Sequence, residues 1–186
     1  MRERNRPAAA GFTLIEVIVV VAIIGIFVAV SYPSILNTME VRNLENTTRG
    51  IQTFLQQARN RAVDAKIVHR VRFFRTDDGL WAYEMQTAVV DLTTKSATSD
   101  ATITWSRVPG APRKSIPARF PATFILPMDG SDYVVSFSPV GAIVNFTNVV
   151  NSITLRSPKL DRPGQQDLRV LNLFIGGSVQ YLKQES

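Results

Sequence analysis

The sequence contains no cysteine. That excludes a disulfide scaffold, a thiolate zinc site, an iron–sulfur cluster and a thiol nucleophile. It has one histidine, His69, too few for a His-rich metal site or a His-based relay. Between Val68 and Arg70, on a strand-like stretch, His69 reads as a packed or exposed strand residue. Charged residues are scarce, at 19% against roughly 25% in soluble domains, so apolar residues should be concentrated somewhere. Glycine and proline, ten of each in 186 residues, are too few for a collagen-like or low-complexity chain. No glycine-rich phosphate loop is present, since Gly176-Gly177 is followed by neither Lys nor a helix. Asp77-Asp78 precede Gly79 and read as a turn, while Asp161, Asp167 and Glu185 are too widely spaced for an oxygen-rich Ca²⁺ loop. No catalytic residue, cofactor or metal site is assigned. Lys and Arg number 21 against 15 acids, a net charge of +6, which permits an anionic partner without establishing one.

The averages conceal one long apolar run. From Phe12 to Val30 the sequence reads FTLIEVIVVVAIIGIFVAV, with a single charge at Glu16. As a helix it measures about 28 Å, close to the roughly 30 Å of bilayer hydrocarbon. Arg2, Arg4 and Arg6 precede it against Glu3, and this positive flank places the N-terminus in the cytoplasm and the rest of the chain across the membrane. An ordinary secretory signal peptide is the competing reading. Two details oppose it: the small residues Ala8–Gly11 precede the apolar run, whereas a secretory cleavage site follows it, and helix-like sequence continues beyond the run.

Glu16 is the exceptional residue. A lone carboxylate deep in lipid costs several kcal/mol unless paired or protonated, and the sequence offers no basic residue after it until Arg42. Gly11-Phe12-Thr13-Leu14-Ile15-Glu16, with its basic leader and unbroken apolar run, resembles the processing motif of type IV pilins and type II secretion pseudopilins. The resemblance implies that prepilin peptidase cuts between Gly11 and Phe12, removing leader 1–11, and then methylates the Phe12 amine. In a packed filament the Glu16 carboxylate of one subunit can then meet the Phe12 ammonium of a neighbour, an assembly role that sets axial register. The plain alternative is that Glu16 is protonated or snorkels. Gly25 and Pro33 weaken a helix by about 1 and 3 kcal/mol. The resemblance suggests a kink or melted turn at these positions, and the simpler reading is that Ser31-Tyr32-Pro33 marks the membrane exit.

Beyond Pro33 the helical pattern resumes. Val41, Leu44, Thr48, Ile51, Leu55, Ala58, Ala62 and Ala65 recur at alternating spacings of three and four, with Phe54 and Val63 flanking them. Arg42, Glu45, Arg49, Gln52, Gln56, Arg59 and Lys66 face away. The small residues of the stripe would let a sheet approach closely. After Ala65 the period becomes two. Strands are expected at Val68–Phe74, Leu80–Met85, Thr102–Ser106, Tyr133–Ser138, Ile143–Thr147, Ser152–Leu155, Leu168–Phe174 and Ser178–Leu182. Asp77-Asp78-Gly79 and Gly176-Gly177 are the hairpin turns, the latter of two residues. The fold class is α+β: one long N-terminal helix packed against antiparallel β-sheets. The alternation assigns Phe73, Trp81, Ile103, Val135, Phe137, Ile153, Leu155, Val170 and Leu173 to the core. The expected division is a leader at 1–11, a transmembrane and filament-core helix at 12–33, its soluble half at 34–66, and a periplasmic β-rich domain at 67–186.

Phe137-Ser138-Pro139-Val140-Gly141, the later strands and Gly177 look like the domain shared by pseudopilin H of type II secretion and the FimT-type minor pilins. Thr87–Pro127 matches that domain poorly and looks like a variable insertion. The resemblance implies a structural subunit, not an enzyme: a minor pseudopilin at or near the tip of a periplasmic pseudopilus, anchored in the inner membrane. Its implied partners are prepilin peptidase, other major and minor pseudopilins, and an inner-membrane assembly platform. The alternatives are a FimT-type minor type IV pilin acting in pilus assembly or DNA uptake, and a membrane-anchored enzyme. Arg107, Arg113, Lys114 and Arg119 lie in a segment without acids and are the candidate DNA contacts. Arg70, Arg72 and Arg75, spaced by two and three, read mainly as a solvated strand face. DNA-binding FimT-type pilins carry a basic motif after the late Gly, whereas Gly177-Ser178-Val179-Gln180-Tyr181 has no Arg, so nucleic acid is not the expected partner. The mature chain is expected to start at methylated Phe12. Intact-mass measurement of protein extracted from membranes of a host with active prepilin peptidase checks this, and retention of Met1 there would refute it.

Overall fold

The computed structural model describes residues 12–90, 103–146, 151–161 and 166–185; the expected leader 1–11 with Gly11, and the expected strand residues Thr102 and Thr147, lie outside them. The chain forms two compact units, Met1–Met39 and Glu40–Ser186. Helix α1, Leu14–Ala65, contributes to both.

In the first unit every side chain described is exposed. It contains a helical stretch long and apolar enough to cross a bilayer, none of it buried. Among the described residues such a face has no protein partner, as expected of a segment whose solvent is lipid or neighbouring helices. The helix continues without a break through Gly25 and Pro33, and nothing lies within 4 Å of a Cβ built on Gly25.

In the second unit α1 buries Leu44, Thr48, Ile51, Leu55, Ala58 and Ala62 completely. The stripe ends one turn earlier than its spacing suggests: Ala65 is exposed and Val41 half-buried. The reason is the helix terminus, since Lys66 turns the chain left-handed at φ 57° and leads it away. Gln52 and Arg59, expected to face away, lie on the stripe's border. Gln52 Nε2 donates to the Val179 carbonyl at 3.0 Å and Arg59 Nε to the Gly141 carbonyl at 3.0 Å.

Among the described residues ten strands follow: β1 (His69–Arg75), β2 (Trp81–Val90), β3 (Ile103–Arg107), β4 (Lys114–Ser115), β5 (Ala122–Ile125), β6 (Met128–Asp129), β7 (Asp132–Phe137), β8 (Asn151–Arg156), β9 (Asp167–Leu173) and β10 (Val179–Glu185). One sheet has the order β3-β2-β1-β7-β6 with β4 also beside β2, and the other runs β10-β9-β8-β5. All pairings are antiparallel. Aromatic rings join the layers. Phe54 of α1 meets Tyr83 edge-on at 5.0 Å, while Phe124 of the second sheet contacts Phe73 at 5.2 Å and Trp81 at 4.7 Å in the first.

Phe73, Val135, Phe137, Ile153, Leu155 and Leu173 are buried, and Trp81 packs partly buried against them. Two expected core residues are not. Ile103 is 53% exposed on the edge strand β3. Val170 is half-buried, because β9 turns Arg169, Leu171 and Leu173 inward; residues 170 and 173 have opposite parity and cannot share a face. Ile143–Thr147 forms no strand among its described residues, only a bridge from Ile143 to Phe137 followed by a turn. Within the expected insertion Thr87–Pro127, Val108, Ala111, Ile116, Phe120, Phe124 and Leu126 enter the core, and β5 pairs with β8 in the second sheet.

The β9–β10 connection is longer than a two-residue turn. Phe174 N–H bonds the Ser178 carbonyl at 3.0 Å and Gly177 N–H bonds the Phe174 carbonyl at 2.8 Å, leaving a three-residue loop with Gly177 at φ +80°. A Cβ at Gly177 would stand 1.9 Å from the Gly141 carbonyl oxygen and 2.9 Å from Arg59 Nε. Gly177→Ala therefore combines left-handed strain with a backbone collision, and should cost about 2–4 kcal/mol. Chemical denaturation of the full chain in detergent checks this, and a change within error of zero would contradict the close approach.

Candidate functional site

The N-terminal motif begins with a helix cap. Glu16 N–H reaches both the Thr13 carbonyl at 3.1 Å and Thr13 Oγ1 at 3.3 Å, and Val17 N–H reaches the Thr13 carbonyl at 3.3 Å. Thr13 is thus the N-cap, with Glu16 at the third helical position, the residue pattern of a capping box. The Glu16 carboxylate also lies in the first turn of α1, where the helix dipole favours negative charge. Phe12 stands outside the helix and is exposed. Thr-x-x-Glu before an apolar run was legible in the sequence as a capping signal, a local role for Glu16 that composition and hydropathy alone do not suggest.

The basic residues are distributed differently from their sequence clusters. Arg70 and Arg72 do not form a solvated strand face. Arg70 is buried, with Nε 2.7 Å from Gln86 Oε1, Nη1 2.7 Å from Asp129 Oδ2, and its guanidinium 4.0 Å over the Trp105 ring. Arg72 bonds Asp132 at 2.7 Å and Glu84 at 3.2 Å. Arg75 is exposed and donates to the Gly79 carbonyl. Of the candidate DNA contacts, Arg113 pairs with Glu84 at 3.2 Å and Arg119 lies 3.7 Å from Glu40. Arg107 is exposed at the end of β3, and Lys114 lies 5.7 Å over the Phe54 ring. The four do not converge on one surface as free charges.

Glu84 is the hub that sequence reading missed. It is 4% exposed, and its two oxygens receive Arg72, Gln86 and Arg113. The signal was the hairpin register: closing β1 and β2 across Asp77-Asp78-Gly79 sets Arg72 opposite Glu84 and Arg70 opposite Gln86. Glu40, also buried, accepts from Ser157 Oγ at 3.2 Å. Arg169 is fully buried against Asp167 and lies 3.8 Å from Glu45.

Burial pushes the Tyr83 hydroxyl up to about 12 and raises Tyr181 as well. Hydrogen bonding by Arg156 holds Asp161 below the usual carboxylate range. Among the described residues no group of three His, Asp or Glu is placed to hold a metal.

Residues 6–32 match the family model described as "Prokaryotic N-terminal methylation motif". The N-terminus is type IV pilin-like. No curated protein matches the chain. Two solved structures resemble it, both of the type IV minor pilin FimU of Pseudomonas aeruginosa strain PAO1. The first, in space group P21, has 15% identity and a TM-score of 0.48, covering 78% of this chain and 92% of that chain. The second, in space group P65, has 14% identity and a TM-score of 0.43, covering 75% and 92%.

The Tyr83 shift has a definite sign. A tyrosine with a folded value of about 12 against an ordinary 10.0 contributes stability in full below pH 10 and loses it as pH rises through 12. Stability of the full chain should therefore fall across that window, and Tyr83→Phe should flatten the fall. Denaturation midpoints against pH provide the measurement; parallel profiles for the two proteins would exclude the assignment.

Proposed function

We propose that this chain is a minor pseudopilin of a type II secretion system, a structural subunit at or near the tip of a periplasmic pseudopilus. The observation that carries the proposal is the N-terminal methylation motif over residues 6–32, within which an exposed apolar helix begins at Leu14. Prepilin peptidase would cut between Gly11 and Phe12 and methylate Phe12, giving a cationic amine beside an apolar helix. The single span would anchor the chain in the inner membrane with its C-terminal part in the periplasm.

Glu16 follows Phe12 by four residues, an axial offset of about 6 Å on a helical scale. A subunit displaced axially in the filament can bring its Phe12 ammonium to a neighbour's carboxylate. Removing either charge leaves the other unpaired in an apolar bundle, so the pair selects one axial register more than it adds stability. Gly25 and Pro33 are the positions where the helix yields on packing, having the weakest helical preference. Other pseudopilins and the assembly platform are the partners, and the chain performs no chemistry of its own. A DNA-uptake role for a FimT-type minor pilin is less well supported, because Glu84 and Glu40 already engage Arg113 and Arg119.

Two substitutions separate the local and intermolecular roles of Glu16. Glu16→Gln keeps a side chain able to complete the cap but removes the charge, while Glu16→Ala removes both. Both should be cleaved and inserted normally, yet reduce assembly by at least about tenfold, the scale of one lost apolar ion pair. Immunoblots of processed protein and quantified filaments or exported protein supply the readout; wild-type assembly by Glu16→Gln would overturn the role. In a deletion strain, loss of protein export with pili intact supports the secretion assignment, and loss of pili with export intact transfers the chain to the pilus.

A further inference from the structure

A polar groove of about 520 Å³ runs between an exposed face of α1 and the loop joining β3 to β4. Phe54, Gln57, Asn60 and Arg61 line it from the helix, Gly110 and Pro112 from the loop, and Lys114 from the start of β4. Positions 57, 60 and 61 share one helix face by their spacing. Lys114 reaches the groove because alternation along the chain separates it from Arg113, which turns to Glu84 on the outer side of the sheet. Arg61 and Lys114 differ from the cations that an acid neutralises. Arg70, Arg72, Arg113, Arg119, Arg156 and Arg169 each have a carboxylate partner, whereas among the described residues none lies within ion-pair distance of Arg61 or Lys114. Among the described residues no acidic side chain lines the groove.

We infer that this groove binds a pair of adjacent carboxylates on a turn of a neighbouring filament subunit. The inference rests on the filament reading above and adds a contact outside the apolar helix. Two cations and two side-chain amides supply donors enough for two carboxylates, and their charge-assisted bonds are stronger than neutral ones. The groove's extent favours a discrete acidic turn over a nucleic acid. A polyanion needs a continuous basic track, and this one is interrupted by exposed Asp64 one turn along α1 and by the neutralised Arg113 and Arg119. Electrostatic complementarity of this kind selects partner and register more than it adds affinity.

The test uses the full chain in cells with the complete assembly machinery. A photo-reactive amino acid replaces Asn60 in one strain and, as a control for filament packing, Val20 of the apolar helix in another. The expected result is an Asn60 cross-link to another filament subunit, mapped by peptide mass spectrometry to a segment with adjacent Asp or Glu. Its yield should fall about tenfold when Arg61→Glu and Lys114→Glu are combined, while the Val20 cross-link persists, showing that the doubly reversed chain still folds and enters the filament. Reversing the mapped carboxylates to Lys should restore the yield. If Val20 cross-links but Asn60 does not, or if the Asn60 product is nucleic acid, maps to a segment without carboxylates, or survives charge reversal, the groove assignment fails and the filament reading stands. If Val20 also fails to reach another subunit, both fail.

Discussion

Both sheets of the Glu40–Ser186 unit depend on one constraint: the narrow stripe of α1 must be smooth enough for strands to lie close to it. Ala58 and Ala62 provide that smoothness, and Leu44, Ile51, Phe54 and Leu55 provide the apolar area. Each fully buried large side chain contributes about 1.5–3 kcal/mol of transfer free energy, so the stripe's bulk dominates the adhesion while its alanines set the distance. The same close approach explains Arg59 and the two glycines. With α1 so near, the loops carrying Gly141 and Gly177 meet over the Arg59 side chain, where a Cβ at Gly177 would collide with the Gly141 backbone and one at Gly141 would press on Arg59 Nε at 3.0 Å. Two glycines far apart in sequence are thus consequences of a single packing distance, and Arg59 fixes it by donating to the Gly141 carbonyl.

Electrostatics is organised around the same frame. The outer side of the first sheet carries cations that its own acids satisfy: Glu84 holds Arg72 and Arg113, Asp132 holds Arg72, and Asp129 holds Arg70. With Glu84 nearly buried, these charge-assisted bonds are worth more than exposed ion pairs, and leaving any member alone would be expensive. The net positive charge of the sequence therefore says little about partners. Part of it lies in Arg2, Arg4 and Arg6, which the proposed topology accounts for, and six of the other cations are held by carboxylates. The cations that retain information are those without an acid, which is why Arg61 and Lys114 matter more than the denser run around Arg70.

What could be read from the sequence depended on how local the governing interaction was. The apolar run, the three-and-four spacing from Leu44 to Ala62 and the Asp77-Asp78-Gly79 turn are local patterns, and the helix and first hairpin follow from them. Val170 and Leu173 show where pattern reading fails. Both are apolar, but a strand buries one parity, and the inward set of β9 includes Arg169, a charged residue that no hydropathy argument would bury. Its position depends on Asp167 and Glu45, one on its own strand and the other on α1. Ile103 fails for a different reason: its strand has a β pattern, but its place at the sheet edge is set by tertiary pairing. At the candidate site, Thr13 and Glu16 were visible as a motif, whereas the groove joins residues 57–61 to residues 110–114 and exists only once the loop has folded against the helix.

The capping geometry refines what Glu16 can do. A carboxylate in the first helical turn is already favoured by the helix dipole, by about 0.3–1 kcal/mol where exposed. That is too small to offset several kcal/mol of transfer into hydrocarbon, so the cap explains where the helix starts and leaves the charge seeking a counter-ion. Thr13 makes the starting point definite by bonding Glu16 N–H, which keeps Phe12 outside the helix. On the proposed cleavage, the free amine of Phe12 would be unencumbered by helical hydrogen bonds. The same local structure that starts the helix would thereby prepare both halves of the proposed intermolecular pair: an amine outside the helix and a carboxylate in its first turn. A capped helix start and a lone membrane carboxylate are not competing explanations of Glu16, because the first positions the group and the second supplies its demand for a partner.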